Sequence, residues 1–152
     1  MKLALASDHA GFALKSQLAT ALLADGHDVV DLGTDGEESV DYPHYAAPAA
    51  RLVADGGAER GVLVCGSGNG VAIVANKVPG VRAVNAHDVG EAELCRRHND
   101  ANVVALSGMR LDAETAAEIV RAFLATPFDG GRHERRVMQI SALEATPTEM
   151  TA

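Results

Sequence analysis

Six consecutive residues near the middle of the chain combine a thiol with closely spaced glycines. They are residues 65–70, with the sequence CGSGNG, between an apolar run at 61–64 and a segment with helical character. Glycine lets the backbone turn with positive φ and lets a ligand approach the amides closely. The start of a following helix presents unpaired N–H groups. The pattern predicts a cradle for an anion or an oxyanion, with a nucleophile or base at its edge.

Other glycine-rich patterns fit this segment poorly. It is not a nucleotide P-loop, because no Gly-Lys-Ser/Thr closes it and Lys77 lies too far along. It is not a dinucleotide fingerprint, because the spacing is G-x-G-x-G and the segment does not follow the first strand. A tight turn between a strand and a helix is the simpler alternative. The cradle is favoured because Cys, Ser and Asn share the same six residues.

Cys65 would by itself be read as a small, buried hydrophobic residue. At the end of a strand that faces a helix start, however, its thiolate would be stabilised. A thiolate can act as a general base or as a nucleophile. Cys95 has no such setting, so we expect it to pack within a helix.

Polar side chains at two other places could complete a site. Asp8 and His9 follow the first apolar run. There Asp8 could cap a helix or bind a sugar hydroxyl, and His9 could contact an anion. His98 and Asn99 follow a predicted helix, where the helix dipole favours a histidine without any catalytic role. As an acid or base, His98 would need a partner that the sequence does not show.

One basic cluster interrupts an acidic chain. The formal net charge is −8, which argues against nucleic acid or an anionic membrane as partner. Arg132 and Arg136 lie four residues apart, on one face of a predicted helix. Positive residues are unfavourable in a first helical turn, whereas two Arg on one face suit a phosphate dianion. A solvated helix start is the plainer alternative.

The elements that must position these residues alternate between strand and helix. The strands are continuous apolar runs, typical of a parallel sheet buried on both faces. We predict strands at 2–6, 27–32, 61–65, 81–86 and 102–106, and helices at 12–24, 44–54, 71–77, 89–97, 113–125 and 132–143. The fold class is therefore α/β: a three-layer αβα sandwich, Rossmann-like, with a five-stranded parallel sheet. We expect one domain over residues 1–144 and a flexible tail at 145–152.

Ligands of such sheets bind outside the carboxyl ends of the strands. Asp8, residues 65–70 and Arg110 follow strand ends, so we expect them on one edge of the sheet. His98 and Asn99 precede the fifth strand. They are therefore expected on the opposite edge, unless they serve a neighbouring subunit.

Cysteine usage and hydropathy predict the cellular setting. Two cysteines without a CxxC pair form no disulfide framework, so a reducing cytoplasm is the simpler compartment. The N-terminal apolar run is too short for a signal peptide, and no window reaches the roughly 18 apolar residues of a membrane span. We expect a cytoplasmic protein with neither membrane nor nucleic acid as partner.

Taken together, these segments resemble the family of ribose-5-phosphate isomerase B and galactose-6-phosphate isomerase over nearly the full chain. The resemblance is specific in combination, although each motif alone is weak. The motifs are SDHAGF at 7–12, DYPHYA at 41–46, CGSGNG at 65–70 with ANK at 75–77, RA at 82–83, RHNDAN at 97–102, and GGRH at 130–133 with Arg136.

The resemblance implies an aldose–ketose isomerase that interconverts D-ribose 5-phosphate and D-ribulose 5-phosphate through a cis-enediolate, without metal or cofactor. It implies a homodimer or tetramer with an active site shared between two subunits. Cys65 would move the proton, Ser67 and the loop amides would hold the oxyanion, and His98 would open the sugar ring with Asp8 nearby. The implied substrate-binding residues are Asp8, His9, Gly66, Ser67, Gly68, Asn69, Gly70, Asn99, Arg110, Arg132 and Arg136.

Two positions depart from the family pattern. One branch of the family uses a Glu directly after the loop, where this chain has Val71, so we expect Cys65 to be the base. Family members usually carry a phosphate-binding Arg where this chain has Met109, and Arg110 is the next residue. Two alternatives stay open: an isomerase of allose 6-phosphate, galactose 6-phosphate or a tetrose phosphate, and a non-catalytic sugar-phosphate sensor. The retained Cys65 and His98 count against the sensor, because binding alone needs neither.

Overall fold

The computed structural model describes residues 1–145, and the tail predicted at 145–152 lies, beyond Ala145, outside them. The strands are β1 (Lys2–Ser7), β2 (Asp28–Asp31), β3 (Arg60–Cys65), β4 (Ala83–Asn85) and β5 (Val103–Ser107). The helices are α1 (Phe12–Ala24), α2 (Pro43–Ala54), α3 (Asn69–Asn76), α4 (Val89–Asn99), α5 (Ala113–Ala125) and α6 (Arg132–Ala142). The predicted α/β class is confirmed.

All five strands form one sheet in the order β2-β1-β3-β5-β4. Every neighbouring pair is parallel, with Ser7 of β1 opposite Val64 and Cys65 opposite Ser107 of β5. Since parallel strands end on the same edge, this register places the ends of β1, β3 and β5 side by side. Cys65 therefore lies at the centre of the carboxyl edge.

Helices cover both faces of the sheet, as the predicted three-layer sandwich requires. Leu3 and Leu5 of β1 pack toward α1, α4 and α5, whereas Ala4 and Ala6 pack toward α2 and α3. The alternation follows from the two-residue period of a strand. Small side chains on the second face let α2 and α3 lie close to the sheet. Within the described residues, no helix combines the length and the apolar character needed to cross a membrane.

Three features of the helices differ from the prediction and affect the site. α3 begins at Asn69, so the end of the glycine loop forms its first turn. α4 continues to Asn99, so His98 and Asn99 lie in its last turn instead of following it. α6 ends one residue earlier than predicted, at Ala142, and packs against α4 with His133 as its buried residue.

A buried lysine ties the loop after β2 to α1. Lys15 is 1% exposed, and its Nζ donates to Asp31 Oδ1 and to the carbonyl of Thr34, both at 2.7 Å. The same loop continues to Val40, whose N–H donates to His9. Lys15 thus helps to position one of the predicted ligand-binding residues.

We expect Lys15→Met to destabilise the fold by about 1–3 kcal/mol, because it removes the side-chain donor to the Thr34 carbonyl and one of the two donors to Asp31 Oδ1. Urea denaturation measures this loss. The exposed pair of Arg121 and Asp25 provides a matched control. Arg121→Met removes an ion pair that water already screens and should cost much less. Equal losses for the two variants would contradict the anchoring role.

Candidate active site

The glycine loop holds the Cys65 thiol at the end of the central strand. Cys65 is 4% exposed, and the N–H of Gly68 donates to its Sγ at 3.2 Å. Gly68 has φ 81°, in the left-handed region that favours glycine. An N–H donor in this position stabilises negative charge on the sulfur. The loop backbone therefore holds Sγ at the strand end with an N–H donor directed at it.

Ser67 lies beside this thiol and is exposed. Its Oγ accepts the N–H of Asn69 at 3.1 Å. That bond occupies a lone pair of the hydroxyl and leaves its proton free to donate to a ligand. A free hydroxyl donor two residues from a thiol can stabilise an oxyanion that develops on a ligand.

Tyr42 and Met109 lie against the loop from two sides. A Cβ at Gly70 would lie 2.8 Å from Tyr42 Cζ, and a Cβ at Gly66 would lie 3.0 Å from Met109 Sδ. The N–H of Met109 also donates to the carbonyl of Gly66 at 3.1 Å. Sequence reasoning did not place Tyr42 at the site, although its DYPHYA segment was one of the motifs that carried the resemblance.

Asp8 and His9 lie at the end of β1, beside β3. Asp8 is 7% exposed, and its Oδ1 accepts the N–H of Gly11 at 3.0 Å, so it stabilises the turn into α1. His9 Nδ1 accepts the N–H of Val40 at 3.1 Å. A neutral His9 therefore carries its proton on Nε2 and can donate that N–H to an anion.

A second group of predicted residues lies around the end of α4. His98, Asn99 and Arg136 line a groove of 470 Å³ between α4, α6 and the edge strand β4. Arg132 is exposed at the start of α6. Within residues 1–145, Arg132 and Arg136 form no ion pair. These two cations are therefore free to bind an anion from solution.

A stacked histidine pair fixes α6 to α4. The rings of His98 and His133 lie 4.2 Å apart and are inclined by 9°. Burial, together with His98, Arg132 and Arg136, lowers the pKa of His133, and Asp129 opposes this shift. A neutral His133 can stack on His98 without repulsion between like charges. The sequence showed His133 only as part of the GGRH motif.

The histidine pair also has a carboxylate nearby. His98, Asp129 and His133 each offer one ligand atom, and these atoms lie within 4.8 Å of one another. The lone pair of a ring nitrogen lies in the plane of the ring, so two nearly parallel rings 4.2 Å apart cannot both direct a lone pair at one ion unless one of them turns. The stacked arrangement favours packing over metal coordination. A site that works without metal stays a prediction.

The predicted site residues form two groups in the structure of one subunit. His98 and Asn99 precede β5, while Met109 and Arg110 follow it. The five residues of β5 span about 16 Å between them. The group at the carboxyl edge is Asp8, His9, Cys65, Gly66, Ser67, Gly68, Asn69, Gly70 and the exposed Arg110, and the second group is His98, Asn99, Arg132 and Arg136.

A family model described as Ribose/Galactose Isomerase matches residues 3–140. The chain belongs to the ribose/galactose isomerase family. The resemblance inferred from the motifs is thereby confirmed. Ribose-5-phosphate isomerase B of Escherichia coli strain K12, a relative in this family, is 44% identical over 143 residues, which cover 94% of this chain and 96% of the relative.

Solved structures agree with this assignment. The structure matches ribose-5-phosphate isomerase B of Clostridium thermocellum with a TM-score of 0.93 and 43% identity, covering 95% of this chain and 97% of that one. It matches ribose-5-phosphate isomerase B of Mycoplasma genitalium, solved with bound ribulose-5-phosphate, with a TM-score of 0.90 and 38% identity, covering 94% and 95%. The Rossmann-like fold of the family is thus the fold of this chain.

The lowered pKa of His133 predicts a pH-dependent stability. Unfolding returns the pKa to its ordinary value of 6.5. As the pH falls through that value, the unfolded chain takes up a proton that the folded chain resists, so the folded state loses stability. His133→Phe keeps a ring against His98 but cannot titrate. Between about pH 8 and pH 5.5, the wild type should lose more stability than this variant. Urea denaturation at both pH values measures the difference, and parallel pH profiles would contradict the assignment.

Proposed function

We propose that this protein is an aldose–ketose isomerase that interconverts D-ribose 5-phosphate and D-ribulose 5-phosphate without metal or cofactor. The geometry of the glycine loop carries the proposal, because the Gly68 N–H faces Cys65 Sγ and the Ser67 hydroxyl can donate. Relatives of the chain bear the name ribose-5-phosphate isomerase B, and one of them was solved with ribulose-5-phosphate. The name of these relatives and the ligand bound to one of them support the same substrate for this chain.

Proton transfer between C1 and C2 would begin at Cys65. Its thiolate removes the proton from C2 of the open-chain aldose, and the electrons of that bond form the C1=C2 bond of a cis-enediolate. Negative charge develops on O1, where the Ser67 hydroxyl and the loop amides stabilise it. A proton passes from O2 to O1, and the thiol then protonates C1 to give the ketose.

The remaining residues would open the ring and hold the substrate. We assign ring opening to His98 of the partner subunit, with Asp8 close to the ring oxygen or its hydroxyl. The partner subunit's Asn99 would bind the sugar. His9 would donate its Nε2–H to the phosphate. Arg132 and Arg136 of the partner subunit supply the positive charge that a phosphate dianion requires. Arg110 is a further phosphate ligand in this assignment.

A second copy of the chain is part of the proposal, because the Cys65 thiol and His98 lie at opposite edges of the sheet within one subunit. The groove between α4 and α6 is bordered by exposed apolar side chains that a partner could cover. Leu94 is 52% exposed, Ile140 42% and Leu143 73%. Covering such a patch favours association. We infer a homodimer with two shared sites, and a tetramer would be two such dimers.

The cellular setting and the domain boundaries belong to the same proposal. Cys65 and Cys95 are both free thiols, which supports a reducing, cytoplasmic compartment. Burial raises the pKa of the Cys95 thiol to about 11, so Cys95 stays protonated and chemically inert. A single domain over residues 1–144 is supported by the one sheet that carries every strand of the described residues.

One observation favours a second candidate, an isomerase of a longer sugar phosphate. Met109 is 80% exposed and lies against Gly66, at the position where the family pattern has a phosphate-binding Arg. An apolar side chain there would accept a longer substrate. Comparing kcat/KM for ribose 5-phosphate, allose 6-phosphate and galactose 6-phosphate separates the candidates. A sensor would bind without converting any of them.

Cys65→Ala tests the assigned base. Loss of the proton-transferring group should lower kcat by about 10²- to 10⁴-fold, while KM changes little because the phosphate contacts remain. A coupled assay with ribose 5-phosphate in the presence of EDTA measures both constants. Cys95→Ala, which removes the buried and inert thiol, is the control and should retain kcat. Full turnover by Cys65→Ala would overturn the mechanism, and loss of wild-type activity in EDTA would overturn its independence of metal.

Mixing two inactive variants tests the shared site. Cys65→Ala and His98→Asn, unfolded together and refolded, should regain about a quarter of wild-type activity. About half of the dimers are then mixed, and each mixed dimer holds one intact site of two. Cys65→Ala refolded with the double variant Cys65→Ala/His98→Asn is the control and should stay inactive. No recovery in the first mixture, with dimers present by sedimentation, would place the whole site in one subunit.

A further inference from the structure

An asparagine outside the predicted site is hydrogen-bonded to the glycine loop from the edge strand β4. Asn85 is the last residue of β4. Its Nδ2 donates to the carbonyl of Ser67 at 3.1 Å and to Asn69 Oδ1 at 2.7 Å. Ser67 and Asn69 flank Gly68, so one amide group holds the loop on both sides of the residue that faces Cys65.

The Asn85 side chain also limits what can stand at Gly68. A Cβ at Gly68 would lie 2.8 Å from Cγ of Asn85, and the positive φ of Gly68 already disfavours a side chain. Asn85 and Gly68 therefore pack in direct contact. This contact keeps Gly68 in the conformation in which its N–H meets Cys65 Sγ.

Packing alone does not explain an amide at this position. Asn85 Oδ1 is buried and has no hydrogen-bond partner within residues 1–145. A buried acceptor without a partner is unfavourable, and an apolar side chain of the same size would avoid it. The gain must therefore lie in the two N–H donors at the other end of the amide.

These donors also decide how Asn69 is oriented. The carbonyl of Ser67 can only accept, so the Nδ2 of Asn85 must face the loop. Asn69 then turns its Oδ1 toward Asn85 and keeps its NH2 for a ligand. On the exposed side of the loop, that NH2 can donate to a hydroxyl or carbonyl oxygen of a sugar.

We propose that Asn85 is a positioning residue for isomerisation. It holds Ser67 and Asn69 so that the Gly68 N–H stays directed at Cys65 and the Asn69 NH2 faces the substrate. Asn85 also lines the groove that contains His98 and Arg136. It therefore lies between the two groups of site residues. The inference rests on the proposed function, because it assigns Asn85 to the same reaction.

Two variants of Asn85 test this role. Asn85→Asp keeps the shape but turns a charged oxygen toward two acceptors, and Asn85→Leu removes both donors. Each should lower kcat for ribose 5-phosphate by about 10- to 100-fold, because the loop donors lose their alignment. KM should change by less than about threefold, since the phosphate contacts lie elsewhere.

Asn76→Leu is the matched control. Asn76 bonds the N–H and the carbonyl of Ala83, at the other end of β4, at 2.8 and 2.9 Å. It supports the same strand with the same chemistry but does not touch the loop. This variant should lose thermal stability and keep its kcat.

Amide hydrogen exchange of the segment 66–70 gives a readout that needs no substrate. Exchange in this segment should be faster in the folded Asn85 variants and unchanged in Asn76→Leu. Unchanged loop exchange in the Asn85 variants, or an equal fall of kcat in Asn76→Leu, would overturn the positioning role. A wild type that fails to isomerise ribose 5-phosphate would instead refute the proposed function, and the exchange measurement would still test the hold of Asn85 on the loop.

Discussion

All five strands run in one direction, and this constraint determines where each functional side chain can lie. Parallel strands need a helix to bring the chain back, so strand ends gather on one edge and helix ends on the other. Cys65 ends a strand, Asp8 and Met109 follow strands, and all three lie at the carboxyl edge. His98 ends a returning helix and lies at the opposite edge. The separation of the thiol and the imidazole is thus a property of the topology, and for this reason the proposed active site includes a second subunit.

The positive charge that the proposed substrate requires comes from a local cluster of cations rather than from the overall charge of the chain. The chain carries a net charge of −8, so long-range attraction of a phosphate is not expected. Arg132 and Arg136 nevertheless stand together on α6, and the stack of His133 on His98 holds that helix against α4. The lowered pKa of His133 reduces the repulsion between charges within this stack. Because the histidine stack attaches α6 to α4, Arg132 and Arg136 are not needed for this contact and remain available for a ligand.

The sequence allowed much of the fold and part of the site to be predicted. Apolar runs bounded by turn residues identified all five strands to within two residues or so at each end, because a doubly covered parallel sheet needs such runs. The glycine loop and Arg132 with Arg136 were recognisable from local spacing. The start of α3 was predicted too late, because Asn-Gly reads as loop, whereas in the structure Gly68 precedes the helix and Asn69 begins it.

The sequence by itself determined which groups are present and at which strand ends they lie: a thiol at the end of β3 with a serine and glycines after it, and an acid and a histidine after β1. Only the tertiary structure decided how they are aimed. The direction of the Gly68 N–H depends on Asn85. Tyr42 and Met109 pack against the loop from two sides. These residues are distant along the chain and meet the loop only when the sheet has formed. Hydrogen-bond direction depends on such long-range contacts, and residue spacing along one segment carries no record of them.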